Sequence, residues 1–117
     1  MIENFELQTE ELNEKELGII PVIIEYFESQ KEAVKAPKIV KDVNLLLLNG
    51  GYNMMLSERR LRKCTNEIRT KGIAPLIATS DGYHITKDKQ VIESQIKSLM
   101  QRACSIRLCA EGLTKFI

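Results

Sequence analysis

The sequence predicts a mainly helical chain that carries one small β-hairpin and ends in a long helix. Three observations predict it. Apolar residues recur at helical spacing in three successive stretches, each bounded by capping or stop residues. Two short β-like runs flank Ser80-Asp81-Gly82. A heptad pattern then runs from Ile92 to the end of the chain.

Residues 1–11 are polar and acidic without periodicity and read as a loose arm; 12–87 hold the three helices and the hairpin, and 88–117 the long helix. The first helix begins near Asn13, which can cap while Glu16 closes a capping box and Leu12 and Leu17 form a hydrophobic staple. Leu17, Ile20, Ile24 and Phe27 make its expected buried stripe, with Glu25 and Glu28 toward water and Pro21 expected to kink it or loosen a turn. The second helix starts at Pro37, buries Ile39, Val40, Val43, Leu46 and Leu47, and stops at Asn49-Gly50-Gly51.

The third helix has the clearest start. Ser57 is a good N-cap, Leu56 and Leu61 are placed for a staple, and Gly72 ends the segment. Leu61, Cys64 and Ile68 line one face. At about 100° per residue, Arg59, Lys63, Asn66 and Thr70 fall opposite them, with Arg62 alongside. In the hairpin, Leu76, Ile77, Tyr83 and Ile85 are the residues expected to pin the strands to the helices.

From about Asp88, Ile92, Ile96, Leu99, Ala103, Ile106, Ala110, Leu113 and Ile117 alternate at intervals of four and three residues. A straight helix of this length outruns what a small three-helix core can cover. A homodimer is the expected partner state, with Ile92, Ile96, Leu99, Ala103, Ile106, Ala110 and Leu113 as its contact residues.

Charge is segregated along the chain. The first 30 residues carry eight acidic side chains against a single lysine, Lys15, whereas the other 87 carry 16 basic and eight acidic ones. Such asymmetry fits a face that meets a polyanion, and equally two solvated surfaces of opposite sign. Three cysteines with no CxxC pair argue against a disulfide framework and a zinc site, and they are expected to be reduced. No apolar run approaches the length of a membrane span, and the acidic start lacks a signal-peptide pattern, so a cytoplasmic location is the expectation. Neither a nucleophile-and-base motif nor a glycine-rich phosphate loop is present, so no enzyme activity and no cofactor are expected.

Three helices followed by a hairpin is the element order of a winged helix-turn-helix, in which the third helix enters the major groove and the wing touches the adjacent backbone. Double-stranded DNA is therefore the expected partner. Ser57, Arg59, Arg60, Arg62, Lys63, Asn66 and Arg69 on the third helix, and Tyr83 and His84 on the wing, are the candidate contacts. Arginine and lysine supply cationic donors to phosphates and base edges, asparagine can pair with adenine, and a helix start suits a phosphate. His84 is expected on the exposed side of the wing, while Tyr83 and Asn66 each also have a structural reading. The main competing expectation is a module of the same fold that binds protein through the acidic first helix and the heptad tail.

The stretch from Leu56 to Gly72, with the run from Ile77 to Ile85, resembles a family of small winged-helix proteins of phages and prophages. That family has a Leu-Arg-rich recognition helix ended by glycine and a wing built around Gly-Tyr. The segment from Ile96 to Arg102 is similar to the family's long tail helix. The likeness covers residues 13–117 and is strongest over 56–102. It implies DNA binding in replication or transcriptional control of a mobile element. Where the family often has a second aromatic after Gly-Tyr, this chain has His84.

Overall fold

The computed structural model describes residues 10–117, so most of the expected acidic arm lies outside the described residues. The chain forms two compact units, one ending at Ile85 and the other beginning at Thr86. The first holds α1 (Glu14–Ser29), α2 (Ala36–Asn49) and α3 (Glu58–Thr70), followed by β1 (Leu76–Thr79) and β2 (Gly82–Ile85). The second is α4 (Lys89–Leu113), closed by a 3-10 turn over Thr114–Phe116. The fold is thus mainly helical with one two-stranded antiparallel sheet, and no described helix is long and apolar enough to cross a membrane.

α1 starts as its capping box dictates. The Asn13 side chain accepts from the Glu16 amide at 2.8 Å, and the Glu16 carboxylate accepts from the Asn13 amide at 3.0 Å. The helix runs on through Pro21. Pro21 and Leu17 are both exposed, so water can take the Leu17 carbonyl that proline leaves without a donor. The buried face differs from expectation. Ile19, Ile20, Ile23, Tyr26 and Phe27 form it, while Leu17 is 46% exposed and Ile24 only half-buried. Ile19, Ile20, Val22, Ile23 and Ile24 crowd every side of the helix, so apolar periodicity alone cannot phase it.

α2 begins at Ala36, one residue before the expected start, with Pro37 in its first turn. It buries Ile39, Val43 and Leu47. Leu46, expected inside, is 45% exposed, because four leucines in a row wrap a whole turn and only Leu47 meets the core. At the helix end the amides of Tyr52 and Gly51 donate to the carbonyls of Leu47 and Leu48. The linker to α3 is fastened by Asn44, whose amide donates to the Leu56 carbonyl at 3.0 Å and whose oxygen accepts from the Leu56 amide at 2.8 Å. A second tie joins α1 to α2. The Tyr26 hydroxyl and the Lys38 ammonium both donate to Asp42 Oδ2 at 2.7 Å, holding that carboxyl below the usual range.

The hairpin pairs Leu76 with Ile85 and Thr79 with Gly82. Alternation along each strand sends Leu76, Tyr83 and Ile85 to the helical core, as expected, and leaves Ile77 opposite His84 on the other side of the sheet. The sheet is anchored from outside itself. Val34, in the loop between α1 and α2, exchanges two backbone hydrogen bonds of 2.9 Å with Tyr83. Gly82 makes that approach possible. Its φ is +119°, and a Cβ there would lie 2.2 Å from the Val34 carbonyl oxygen.

Gly82→Val should therefore destabilise the fold by about 2–4 kcal/mol, combining backbone strain with a collision against a rigid carbonyl. Urea denaturation measures it; a loss under about 0.5 kcal/mol would mean that Val34 does not hold the strand.

Candidate functional site

α3 is divided lengthwise by its own sequence. Leu61, Cys64 and Ile68 are fully buried, and Thr65 is nearly so, its hydroxyl donating to the Arg62 carbonyl at 2.9 Å. Burial pushes the Cys64 thiol up to about 12, so it stays protonated and serves as packing. On the opposite side lie Arg59 and Lys63, half-buried, and the exposed Asn66 and Thr70. Arg62, exposed, and Arg69, half-buried, flank them on one side. Arg69 also stands in the last turn, where a cation offsets the helix dipole.

Several of these groups are available to a ligand. Among the described residues, Arg59 and Asn66 make no side-chain hydrogen bond or ion pair. Arg62 approaches Glu58 at only 3.9 Å, with both side chains about half exposed; such a pair is worth under about 1 kcal/mol and yields readily to a stronger anion. Ser57 is the N-cap, its Oγ accepting from the Arg60 amide at 3.2 Å while its own O–H is left to donate. The amides of the first turn add partial positive charge at the same end.

Arg60 departs from expectation. It turns into the molecule, against α1, where its Nε donates to Glu16 Oε2 at 2.6 Å and its Nη2 to Glu16 Oε1 at 2.7 Å. Nη1 and Nη2 also donate to the carbonyls of Glu10 and Glu11 at 3.0 and 3.2 Å. Both side chains are largely buried, at 14% and 7% exposure. Arg60 is thus a structural cation and does not belong to the outward face. The arginine's hydrogen bonds hold the Glu16 carboxyl below its ordinary value.

The wing candidates also move. Tyr83 turns toward the helices, its ring centroid 6.3 Å from that of Phe27, and is half-buried against the core, the structural alternative to a DNA contact. His84 is half-buried, not exposed, and its Nδ1 is buried without a hydrogen-bond partner among the described residues. Strand alternation explains both: the register that sends Tyr83 to the core sends its neighbour to the other face.

The seven seam residues all lie on α4. Ile92 is half-buried, and Ile96, Leu99, Ala103, Ile106, Ala110 and Leu113 are exposed.

Asn44 escapes the sequence reading, and Glu16 enters it only as a capping-box residue, not as the buried partner of Arg60. A signal for Glu16 existed, since it stands three, four, seven and eleven positions before Ile19, Ile20, Ile23 and Phe27, in line with the buried stripe. No comparable signal marks Asn44. Comparison with protein-family models, with curated proteins and with solved structures finds no match to the chain.

Replacing Arg60 by Met leaves Glu16 buried and unpaired and should cost about 3–5 kcal/mol near neutral pH. Because the folded Glu16 carboxyl sits below its unfolded value of 4.5, the pair contributes fully above that pH. Its share fades as pH falls through the folded pKa, so the gap between wild type and Arg60→Met should narrow on acidification. Denaturation series from pH 7 to about 3 test this, and a gap independent of pH would refute the pairing.

Proposed function

We propose that the chain is a winged-helix protein that binds double-stranded DNA, with α3 in the major groove and the hairpin as its wing. One observation carries the reading: α3 buries an uninterrupted apolar face while Arg59, Arg62, Lys63 and Asn66 occupy the opposite side. A groove about 12 Å wide admits one helix and rewards donors on its outward surface. Arg62 and Lys63 suit phosphates or guanine edges, Arg59 the same, and Asn66 an adenine edge. Ser57 and the first-turn amides suit a phosphate at the helix start.

The element order supports the architectural half of the proposal. α1, α2, α3 and a hairpin follow one another as the parts of a winged helix do, and Val34 bridges to the hairpin. The wing would then touch DNA through the Ser80 hydroxyl and the backbone amides of its turn, not through Tyr83. The resemblance to phage and prophage proteins makes replication or transcriptional control of a mobile element the setting we favour.

A second reading, a protein-binding module, is favoured by the apolar surface on α2 and its linker, where Leu45, Leu48, Tyr52 and Met55 are exposed. Salt separates the two. Phosphate contacts release counterions, so DNA affinity falls steeply as salt rises, whereas an apolar interface changes little.

Arg59→Ala with Lys63→Ala should weaken binding to duplex DNA roughly tenfold or more and flatten the salt slope by about two, with the circular dichroism spectrum unchanged. Fluorescence anisotropy at near-physiological salt reads both. Equal affinity for variant and wild type would remove these residues from the site; no binding by wild type to a random duplex pool would end the DNA reading.

A further inference from the structure

Most of the apolar seam of α4, from Ile96 onward, is exposed. None of its residues is buried, and Ile96, Leu99, Ile106 and Leu113 are between 39% and 70% exposed. Aliphatic side chains repeated every three and four residues fit the facing surface of a second helix. The chain's own residues say which helix, and in which direction.

In heptad terms, Ile92, Leu99 and Ile106 are d positions and Ile96, Ala103 and Ala110 are a positions. In a parallel pair each core layer is made by identical residues. Ala103 would meet the partner's Ala103 and Ala110 the partner's Ala110, leaving two underfilled layers. The flanks would be worse, because Arg102 would face the partner's Arg107 on both sides.

Reversing one helix changes both terms. Core layers now join an a residue to a d residue, and each alanine meets a large partner. Leu99 packs on the partner's Ala103, Ile92 on the partner's Ala110, and Ile96 on the partner's Ile106. The same register sets Glu93 against the partner's Arg107 at both ends, Met100 against the partner's Met100 at the dyad, and Arg102 against the partner's Arg102 once. Two attractive pairs and one like-charged contact replace two like-charged contacts. Slipping the register by one heptad sets Leu113 on the partner's Ile96 but loses Ile92 from the core and, with it, the Glu93–Arg107 pairs that alone give attractive flanks. In that register Ile117 cannot cover Ile92, since the α-helix stops at Leu113.

We propose that α4 pairs with α4 of a second copy as an antiparallel coiled coil in this register. The assignment is independent of DNA binding, and either can fail alone.

The test is the dimer dissociation constant of the full chain by analytical ultracentrifugation, for wild type, Arg107→Glu and the double variant Glu93→Arg/Arg107→Glu. Arg107→Glu should weaken the dimer roughly tenfold, as two surface pairs turn from attractive to repulsive, and the double variant should restore it. Rescue is the decisive arm. Within one helix Arg107 also approaches Glu111 at 3.8 Å, and exchanging Glu93 cannot repair a clash there. Wild type that stays monomeric at high micromolar concentration overturns the proposal. So does an Arg107→Glu dimer that is tighter, as parallel pairing requires, or unchanged, as a slipped register requires, and so does failure of the rescue.

Discussion

The buried fork between Glu16 and Arg60 is the constraint on which the helical unit turns. Burying two opposite charges is expensive, and the cost is met only because nearly every lone pair and proton finds a partner. Glu16 accepts from two guanidinium nitrogens and from the Asn13 amide, while Arg60 reaches on to the carbonyls of Glu10 and Glu11. An apolar contact between α1 and α3 would hold the helices together as firmly. What the planar fork adds is direction, because it tolerates little rotation of α3 about its own axis. The same contact that removes one arginine from the outer face of α3 thereby fixes where the others point.

That division of labour orders the rest of the unit. Leu61, Cys64 and Ile68 fill the interior beneath α3, Asn44 clamps the linker that leads into it, and the cap at Ser57 sets its first turn. Each element acts on the helix from a different side. Arg59 and Asn66 make no side-chain bond among the described residues, and the Arg62–Glu58 pair is long and solvated. At those three positions the composition is open to selection for binding.

How much of this is legible in the amino-acid order depends on how local the cause is. The caps at Asn13 and Ser57, the ends of α2 and α3, the hairpin and the start of α4 are all set by residues a few positions apart, and they are readable. The rotation of α1 is not, because five aliphatic residues between 19 and 24 leave its apolar direction degenerate and a tertiary partner, Arg60, breaks the tie. Arg60 itself looks like its neighbours. At about 100° per residue it lies nearer to Cys64 than to the centre of the polar side, but only knowledge of Glu16 makes that decisive. Strand alternation sets Tyr83 and His84 on opposite faces and Tyr83 faces in as the sequence suggests, but nothing local shows that His84 is half-buried too.

The exchange of hydrogen bonds between Val34 and Tyr83 has a mechanical consequence. The strand that ends the hairpin is stitched to the chain just before α2, so a push on the hairpin tip is delivered to the α1–α2 corner instead of being absorbed as bending. Two backbone bonds side by side resist such loading together, and Gly82 keeps the seam tight by having nothing to place in it. The hairpin is in this sense a handle fixed to the frame, and whatever grips it also grips the helices.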